Sequence, residues 1–508
     1  MNTNKRICYI RTFVRRFVHS YIMQIYNTLS GKKERLEKPR GKPLRLFVCG
    51  PTVYDDSHIG HARAQLTFDI VVRYLRSRKW NVRYLQNITD VDDKIIARAR
   101  KEGVSPLSLA KKYEKSYRKD LKNLGIFQID TFARASDFIP QIVKQIKTLQ
   151  KKGYAYVIDG EGVYFDIKKF SDYGKLAHRT VEQAEDGVSR IDEGDKKRNR
   201  GDFCLWKFAK TGTETKIKKL YKLKAISYKL INGEPSWGSP LGAGRPGWHI
   251  EDTAITEHFF GPQYDVHGGG LDLKFPHHEA EIAQQEAASG KKPFVKIWMH
   301  VGLIRVNNQK MSKSLGNFIT IRDFLKNKRT ETLRWIILSH HYRSPINYTE
   351  ELARQSEQTI ESLKETFQKL EFVKKKQKKG TISLEKTLKE TKKKIEEYME
   401  DDFRTPEVVS ALFALVSEAN KQIWSLNQKS AGNMLAFLRK TLTTLGIELP
   451  SEKTPKNIQK LARQRELSRV HKQFIQSDAL RKKIESLGYK VEDTPLGPLV
   501  QKTREQNL

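Results

Sequence analysis

Cysteine is scarce in this chain: Cys8, Cys49 and Cys204 are the only three. So few exclude a disulfide-stapled scaffold and fit a reducing setting such as the cytoplasm. No run of about 18 apolar residues occurs, so no segment reads as a membrane-spanning helix. No internal repeat occurs. Acid is also in short supply, with 59 Asp and Glu against 95 Lys and Arg and a net charge of +36. Such an excess costs self-repulsion and points to a polyanionic partner, nucleic acid before an anionic membrane surface. Biased codon usage is the alternative source of the lysines. Within residues 1–22 acid is lacking altogether, while Lys5, Arg6, Arg11, Arg15 and Arg16 are present. That segment reads either as an organelle transit peptide or as an upstream start that is not used. The second reading is preferred, because Met23 opens a natural beginning, Met-Gln-Ile-Tyr-Asn-Thr-Leu.

What is present is more telling. The chain has 508 residues, enough for about three domains, and 38% of them are hydrophobic. Leu44 to Val48 reads as a buried strand that ends in the turn Cys49-Gly50-Pro51. Gly60 to Arg76 has helical spacing, with Ala64, Phe68, Val71, Val72 and Leu75 on one face. Val82 to Leu85 reads as the next strand. Strand, turn, helix, strand is the opening of a Rossmann-like half. Residues 97–200 alternate helical and strand patterns and read as an inserted domain. Residues 211–232 partly alternate lysine with apolar residues, which predicts an added strand or hairpin with a basic face. From Glu331 the pattern is mostly helical, and the last fifty or so residues form a small basic tail.

Two strings carry chemistry. His58-Ile-Gly-His61 sits where the first helix begins, and a helix N-terminus favours phosphate. Lys310-Met-Ser-Lys313-Ser follows much later. Histidines there suit donation to phosphate oxygens, and Lys310 and Lys313 suit neutralising a leaving pyrophosphate. Ser312, Ser314 and Gly316 keep that loop mobile enough to close. His267-Gly-Gly-Gly-Leu-Asp272 reads either as a structural turn or as a place where backbone approaches a nucleotide and Asp272 accepts from a ribose hydroxyl. Gly50, Gly60 and Gly269 are the matching points of close approach. His277 and Glu281 fall at i and i+4, which places them on one helical face if a helix runs there. With Cys49 they are acceptable Zn²⁺ ligands, although an isolated pair is more often a surface interaction.

The two strings together resemble the ATP-binding signatures of class I aminoacyl-tRNA synthetases. Phe47-Val-Cys-Gly-Pro-Thr-Val-Tyr-Asp, Asn87-Ile-Thr-Asp-Val-Asp-Asp-Lys, Gly244-Arg-Pro-Gly-Trp-His-Ile-Glu and His267-Gly-Gly-Gly-Leu-Asp-Leu-Lys-Phe-Pro-His-His-Glu narrow this. So do Lys310-Met-Ser-Lys-Ser-Leu-Gly-Asn and His341-Tyr-Arg-Ser-Pro-Ile-Asn-Tyr. All are similar to cysteinyl-tRNA synthetases. The resemblance implies an α/β fold: a Rossmann-like catalytic domain over 23–330 that contains the 97–200 and 211–232 insertions. A helical domain over 331–450 and an anticodon-binding domain over 451–508 would follow. It implies ATP with Mg²⁺, L-cysteine and tRNA(Cys) as substrates, no membrane, and a monomer.

The family holds one Zn²⁺ with two Cys, one His and one Glu. Cys49, His277 and Glu281 match, but Asp252 stands where the second Cys belongs. Asp keeps the formal charge of a thiolate and is a legitimate, harder ligand. Three outcomes follow: zinc retained by Cys49, Asp252, His277 and Glu281, a weak or different metal, or none. Thr89 and Trp248 match positions that line the cysteine pocket, and Tyr54 and Asp55 are candidates for the substrate ammonium. Arg469, Asp478 and Asp493 match positions that read anticodon bases, where Arg binds a base edge and carboxylates accept from exocyclic amines. Leu499 and Val500 stand where the family usually has an aromatic. Two rival readings are a cysteine ligase that acts on a small amine, and a catalytically retired tRNA-binding homologue.

Overall fold

The computed structural model describes residues 22–179, 183, 196–210, 214–215, 228–313, 315–377, 379–449 and 454–503. Residues 1–21, Ser314 and most of the 211–232 insertion lie outside the described residues. The chain divides into two compact units. The first lies within Met1–Thr330, His341–Tyr348 and Glu400–Phe403, and the second within Glu331–His340, Thr349–Met399 and Arg404–Leu508.

In the first unit, β1 (Ile22–Asn27) and β2 (Lys32–Glu37) form an antiparallel hairpin. The chain then enters a parallel sheet through β3 (Leu44–Val48), β4 (Val82–Ile88) and β5 (Thr131–Arg134). β3 and β4 are buried almost throughout, as parallel strands covered on both faces require, and so they read as apolar runs. Between them runs the helix Ile59–Ser77, which buries Phe68, Val71, Val72 and Leu75, whereas Ala64 is only half-buried. The helices Asp93–Glu102 and Pro106–Asn123 carry the chain from β4 to β5.

A second, antiparallel sheet follows the helix Ile139–Lys151. Its strands are β6 (Ala155–Ile158), β7 (Gly162–Phe165), β8 (Phe203–Phe208), β9 (Glu214–Thr215), β10 (Tyr228–Ile231), β11 (Glu234–Trp237) and β12 (Gly244–Pro246). They lie in the order β6-β7-β8-β12-β11-β10-β9. This corrects the insertion expected at 97–200. Residues 97–134 build one edge of the parallel sheet, and the added sheet runs from Ala155 to Pro246. One core joins Phe47 and Leu85 of the parallel sheet, Ile142 and Ile146 of the connecting helix, and Phe165 and Trp206 of the added sheet.

The helix Ile250–Phe260 returns the chain to β13 (Tyr264–Gly270), and the helix Glu279–Ser289 leads to β14 (Val295–Val301). The parallel sheet has the order β14-β13-β3-β4-β5. The chain leaves β3 towards β4 and later returns on the other side as β13. The C-terminal ends of β3 and β13 therefore flank a topological switch point, where such sheets bind ligands. A three-stranded sheet, β15 (Ile304–Val306), β16 (Gln309–Lys310) and β17 (Ile346–Tyr348), carries the lysine-rich loop. Asp402, fully buried in the short segment Glu400–Phe403, accepts from the Tyr26 amide, the Tyr342 hydroxyl and the Arg343 guanidinium.

The second unit is built on the helices Glu350–Lys376, Glu385–Glu400, Thr405–Lys421 and Gln428–Thr444. In its tail, the helices Lys456–Val470 and Phe474–Ser486 pack on the hairpin β18 (Tyr489–Thr494) and β19 (Gly497–Lys502). Ile458, Ala462, Ile484 and Val491 form a small core there. Among the described residues no helix is long and apolar enough to cross a membrane.

Candidate active site and metal centre

A cleft of about 580 Å³ opens beside the switch point. His58 caps the helix Ile59–Ser77: the Gly60 amide donates to its Nδ1 at 3.0 Å, and its own amide donates to His61 Nδ1 at 3.4 Å. Each ring thus accepts at Nδ1, so its neutral form carries the proton on Nε2. Burial holds both rings neutral. It lowers His58 to about 3, with His61 adding to the effect, and His61 to about 4. His61 faces the cleft, and water there tempers the push without reversing it. The pair therefore offers donors rather than positive charge, which must come from elsewhere. Gly50 has no room for a side chain, since a Cβ there would stand 1.8 Å from the Asn87 carbonyl oxygen.

The lysine-rich loop is fastened to the same helix start. The Ile59 amide donates to the Ile319 carbonyl at 3.1 Å, and the Ile321 amide to the Ser57 carbonyl at 2.9 Å. Asn317 shapes the loop by accepting from the Ser312 amide at 2.8 Å and donating to the Lys310 carbonyl at 3.2 Å. Lys313 reaches across the cleft to an ion pair with Asp55, its ammonium 5.2 Å from the centre of the Phe318 ring. Lys310 is exposed on β16. Asp272 is exposed in the turn Leu271–Leu273 that ends β13, within electrostatic reach of His58. Gly269 has no room for a side chain, because a Cβ there would come within 2.7 Å of the His278 ring.

At the switch point four segments converge. Cys49 follows β3, Asp252 lies in the first turn of Ile250–Phe260, His277 precedes the helix Glu279–Ser289, and Glu281 lies in that helix's first turn. His277 lies in the helical turn Lys274–His278 that runs directly into that helix, and its ring meets Glu281 as the i,i+4 spacing predicts, although Phe275 before it is extended. Donor atoms of Cys49, Asp252, His277 and Glu281 all lie within 4.8 Å of one another. His277 Nε2 stands 3.1 Å from Asp252 Oδ2 and 3.2 Å from Glu281 Oε1, and Cys49 Sγ is 3.5 Å from Asp252 Oδ2. Asp252 and Glu281 are fully buried, and Asp252 Oδ1 and both Glu281 oxygens accept no hydrogen bond. Buried carboxylates left this way are costly unless a cation meets them. Burial, then Asp252 and Glu281, pushes the Cys49 thiol well up, and burial, then Asp252, does the same to the Glu281 and Glu251 carboxyls. Soft sulfur, imidazole and two carboxylates in an anionic pocket fit a divalent metal. Cys49, His267, His278 and Glu281 form a second, overlapping group of the same compactness.

Trp248 stacks on His277 with ring centres 4.4 Å apart, and the Thr89 hydroxyl donates to Glu251, the neighbour of Asp252. Both therefore border the metal group. Sequence reasoning passed over Glu251 and the histidines that buttress this centre. His249 Nδ1 lies 2.9 Å from His277 Nδ1, and His278 Nδ1 lies 2.8 Å from His300 Nε2. The available signal was density, since six of the 13 histidines fall between His249 and His300. Lys94, Arg98 and Lys101 also line the cleft from one face of the helix Asp93–Glu102. Their i, i+4, i+7 spacing was the clue.

In the tail, Arg469 and Asp493 meet in an ion pair, and the buried Arg465 grips the same carboxylate at 2.5 and 3.0 Å. Asp478 is exposed on the helix Phe474–Ser486. Leu499 is buried in β19, and Val500 packs on the small core, so aliphatic residues fill the place of the expected aromatic.

A doubly wound parallel sheet with His58-Ile-Gly-His61 and Lys310-Met-Ser-Lys313 meeting at one cleft is the catalytic domain of a class I aminoacyl-tRNA synthetase. The family profile described as tRNA synthetases class I (C) catalytic domain matches residues 36–358, and the DALR domain profile matches 394–450. The chain belongs to the family of cysteine--tRNA ligases. It is 42% identical over 472 residues to the cysteine--tRNA ligase of Thermoplasma volcanium, covering 93% of this chain and 98% of that one. It is 39% identical over 489 residues to that of Caldicellulosiruptor saccharolyticus, covering 95% and 100%. Among solved structures, Mycobacterium tuberculosis methionyl-tRNA synthetase in complex with methionyl-adenylate aligns with a TM-score of 0.55 at 15% identity, covering 80% of this chain and 89% of that one. The Agrobacterium radiobacter LeuRS-tRNA-LeuAMS complex aligns with a TM-score of 0.58 at 11% identity, covering 81% and 86%. At such identities the likeness concerns the fold.

Proposed function

We propose that the chain ligates L-cysteine to tRNA(Cys) at the expense of ATP, through a cysteinyl-adenylate. The observation that carries this reading is the meeting, at one switch point, of the two-signature cleft and the buried group Cys49, Asp252, His277 and Glu281. The cysteine carboxylate oxygen attacks the α-phosphorus of ATP, the bond to the β-phosphate oxygen breaks, and pyrophosphate leaves with Mg²⁺. His58 and His61 donate from Nε2 to the phosphate oxygens, while Lys310 and Lys313 supply the charge that pyrophosphate needs as it departs. Gly50, Gly60 and Gly269 let the backbone close on the nucleotide, and Asp272 accepts from the ribose. The terminal tRNA hydroxyl then attacks the acyl carbon and AMP leaves.

Cysteine and serine differ by sulfur against oxygen, a poor handle for an apolar pocket. One Zn²⁺ per chain, held by Cys49, Asp252, His277 and Glu281, would supply a Lewis acid that prefers thiolate to hydroxyl. Trp248 walls the pocket and Thr89 orders Glu251 beside it. Arg469, Asp478 and Asp493 read the anticodon from the tail, and the protein acts as a cytoplasmic monomer. The tail favours tRNA over a small amine as acceptor, and intact His58, His61, Lys310 and Lys313 speak against a retired homologue. The test is cysteine-dependent ATP–pyrophosphate exchange and aminoacylation of tRNA(Cys), with serine as control. Zinc-loaded protein that catalyses neither would overturn the proposal.

A further inference from the structure

We propose that Asp55 is the counter-ion that parks Lys313 before ATP arrives, so that the triphosphate must take this lysine from it. The inference rests on the reading of the cleft as the ATP site. Asp55 lies on the segment between β3 and the helix Ile59–Ser77, among the residues lining the cleft. Its side chain is only 18% exposed, while that of its partner Lys313 is 56% exposed. Arg98 Nη1 approaches the same carboxylate at 3.8 Å from the helix Asp93–Glu102. One half-hidden carboxylate thus faces cations from two other elements, 258 positions of sequence separating it from Lys313.

The backbone contacts of Ile319 and Ile321 already fasten the C-terminal end of the loop to the helix start. The Asp55 pair adds a hold on the loop's middle. It keeps the ammonium at the mouth of the cleft, aimed at the space that phosphates would enter. A triphosphate carries several negative charges against one and outcompetes Asp55 for Lys313, but only after breaking the pair. Asp55 therefore sets a cost on ATP binding and, in return, keeps Lys313 near its place of work. It is a positioning residue that acts through Lys313.

The test is the Asp55→Asn variant of the full, zinc-loaded chain in the cysteine-dependent exchange assay. KM for ATP should fall roughly two- to fivefold, the scale of a partly exposed ion pair, while KM for cysteine stays unchanged. In a Lys313→Gln background the same substitution should leave KM for ATP unmoved, and Asp55→Glu should restore the wild-type value. Independently of activity, amide exchange over residues 310–316 in nucleotide-free protein should quicken equally in Asp55→Asn and Lys313→Gln. A raised KM for cysteine with KM for ATP unchanged would make Asp55 the acceptor of the substrate ammonium and overturn the proposal. A raised KM for ATP that extra Mg²⁺ relieves would make it a partner of the metal–nucleotide complex, with the same consequence. Unchanged amide exchange in both variants would also overturn it. Wild-type protein without exchange activity would instead count against the functional reading, leaving the amide-exchange result to judge the pair.

Discussion

Asp252→Ala is the substitution that separates ligand from bystander at the buried centre. In metal-free protein Asp252 has Glu281 and Glu251 as acidic neighbours, and its presence pushes both of their carboxyls up after burial has done so. Removing it relieves repulsion, so the metal-free melting temperature should hold or rise. With metal the sign reverses. Loss of an outer-sphere partner typically costs 10–100-fold in metal affinity, and loss of one of four direct ligands should exceed that. A fall of about 100-fold or more, or about 2.7 kcal/mol, is the expectation. At saturating zinc the stabilisation by bound metal drops by the same amount, which lowers the zinc-induced rise in melting temperature by a few degrees. Chelator competition, elemental analysis and thermal unfolding with and without Zn²⁺ measure all three, and the KM for cysteine should rise in parallel. Asp252→Cys should keep tight zinc and activity. Unchanged affinity and stoichiometry in Asp252→Ala would refute the assignment. If His278→Ala then strips the metal, the overlapping group Cys49, His267, His278 and Glu281 is the site.

Lys313→Ala should lower the exchange rate by roughly one to three orders of magnitude, the scale of a lost transition-state donor, with little change in cysteine affinity. An unchanged rate would shift the role to Lys310 or Arg98. Arg469→Ala should reduce kcat/KM for aminoacylation by roughly 5- to 150-fold, the range of a lost base contact, and leave pyrophosphate exchange within about twofold. Equal loss of both activities would contradict the division of labour. Burial lowers His58 and His61 to about 3 and about 4, against an ordinary imidazole near 6.5. The folded state therefore binds these protons later than the unfolded chain. Their contribution to stability is full above about pH 6.5 and is lost as pH falls through 4 towards 3. Between pH 6 and 8 neither should titrate by imidazole NMR, and a midpoint near 6.5 that vanishes in His61→Gln would overturn this.

The nucleotide half was legible because its signals are local. The apolar run at 44–48 and the 3.6-residue spacing after Gly60 each specify one element, and the strings at His58 and Lys310 are short and contiguous. The added sheet was misplaced because its strands are two to six residues long and pair across as many as 45 positions, as Gly162 does with Lys207. The four residues of β5, Thr131–Arg134, carry too little pattern to reveal that they edge the parallel sheet. At the metal group, residue types could be read but not proximity. Glu251 looked like a neighbour in a motif until folding buried it beside Asp252. Asp55 was a candidate for the substrate ammonium, and its ion pair with Lys313, 258 positions away, had no local signal.

The buried Asp402 imposes an order on how the chain is made. The Tyr26 amide donates to a carboxylate 376 positions later, at 2.9 Å. The Asn27 side chain waits in the same way for the Trp298 amide, 271 positions downstream. At about 5–20 residues per second, a ribosome needs roughly 20–75 s to travel from Tyr26 to Asp402. The first hairpin gains its Trp298 partner part-way through that interval and its Asp402 partner only at the end. Among the first strands to leave the exit tunnel, β1 is thus among the last to be sealed, and a nascent chain stalled before Asp402 would hold every strand of the first unit without the carboxylate that the Tyr26 amide meets.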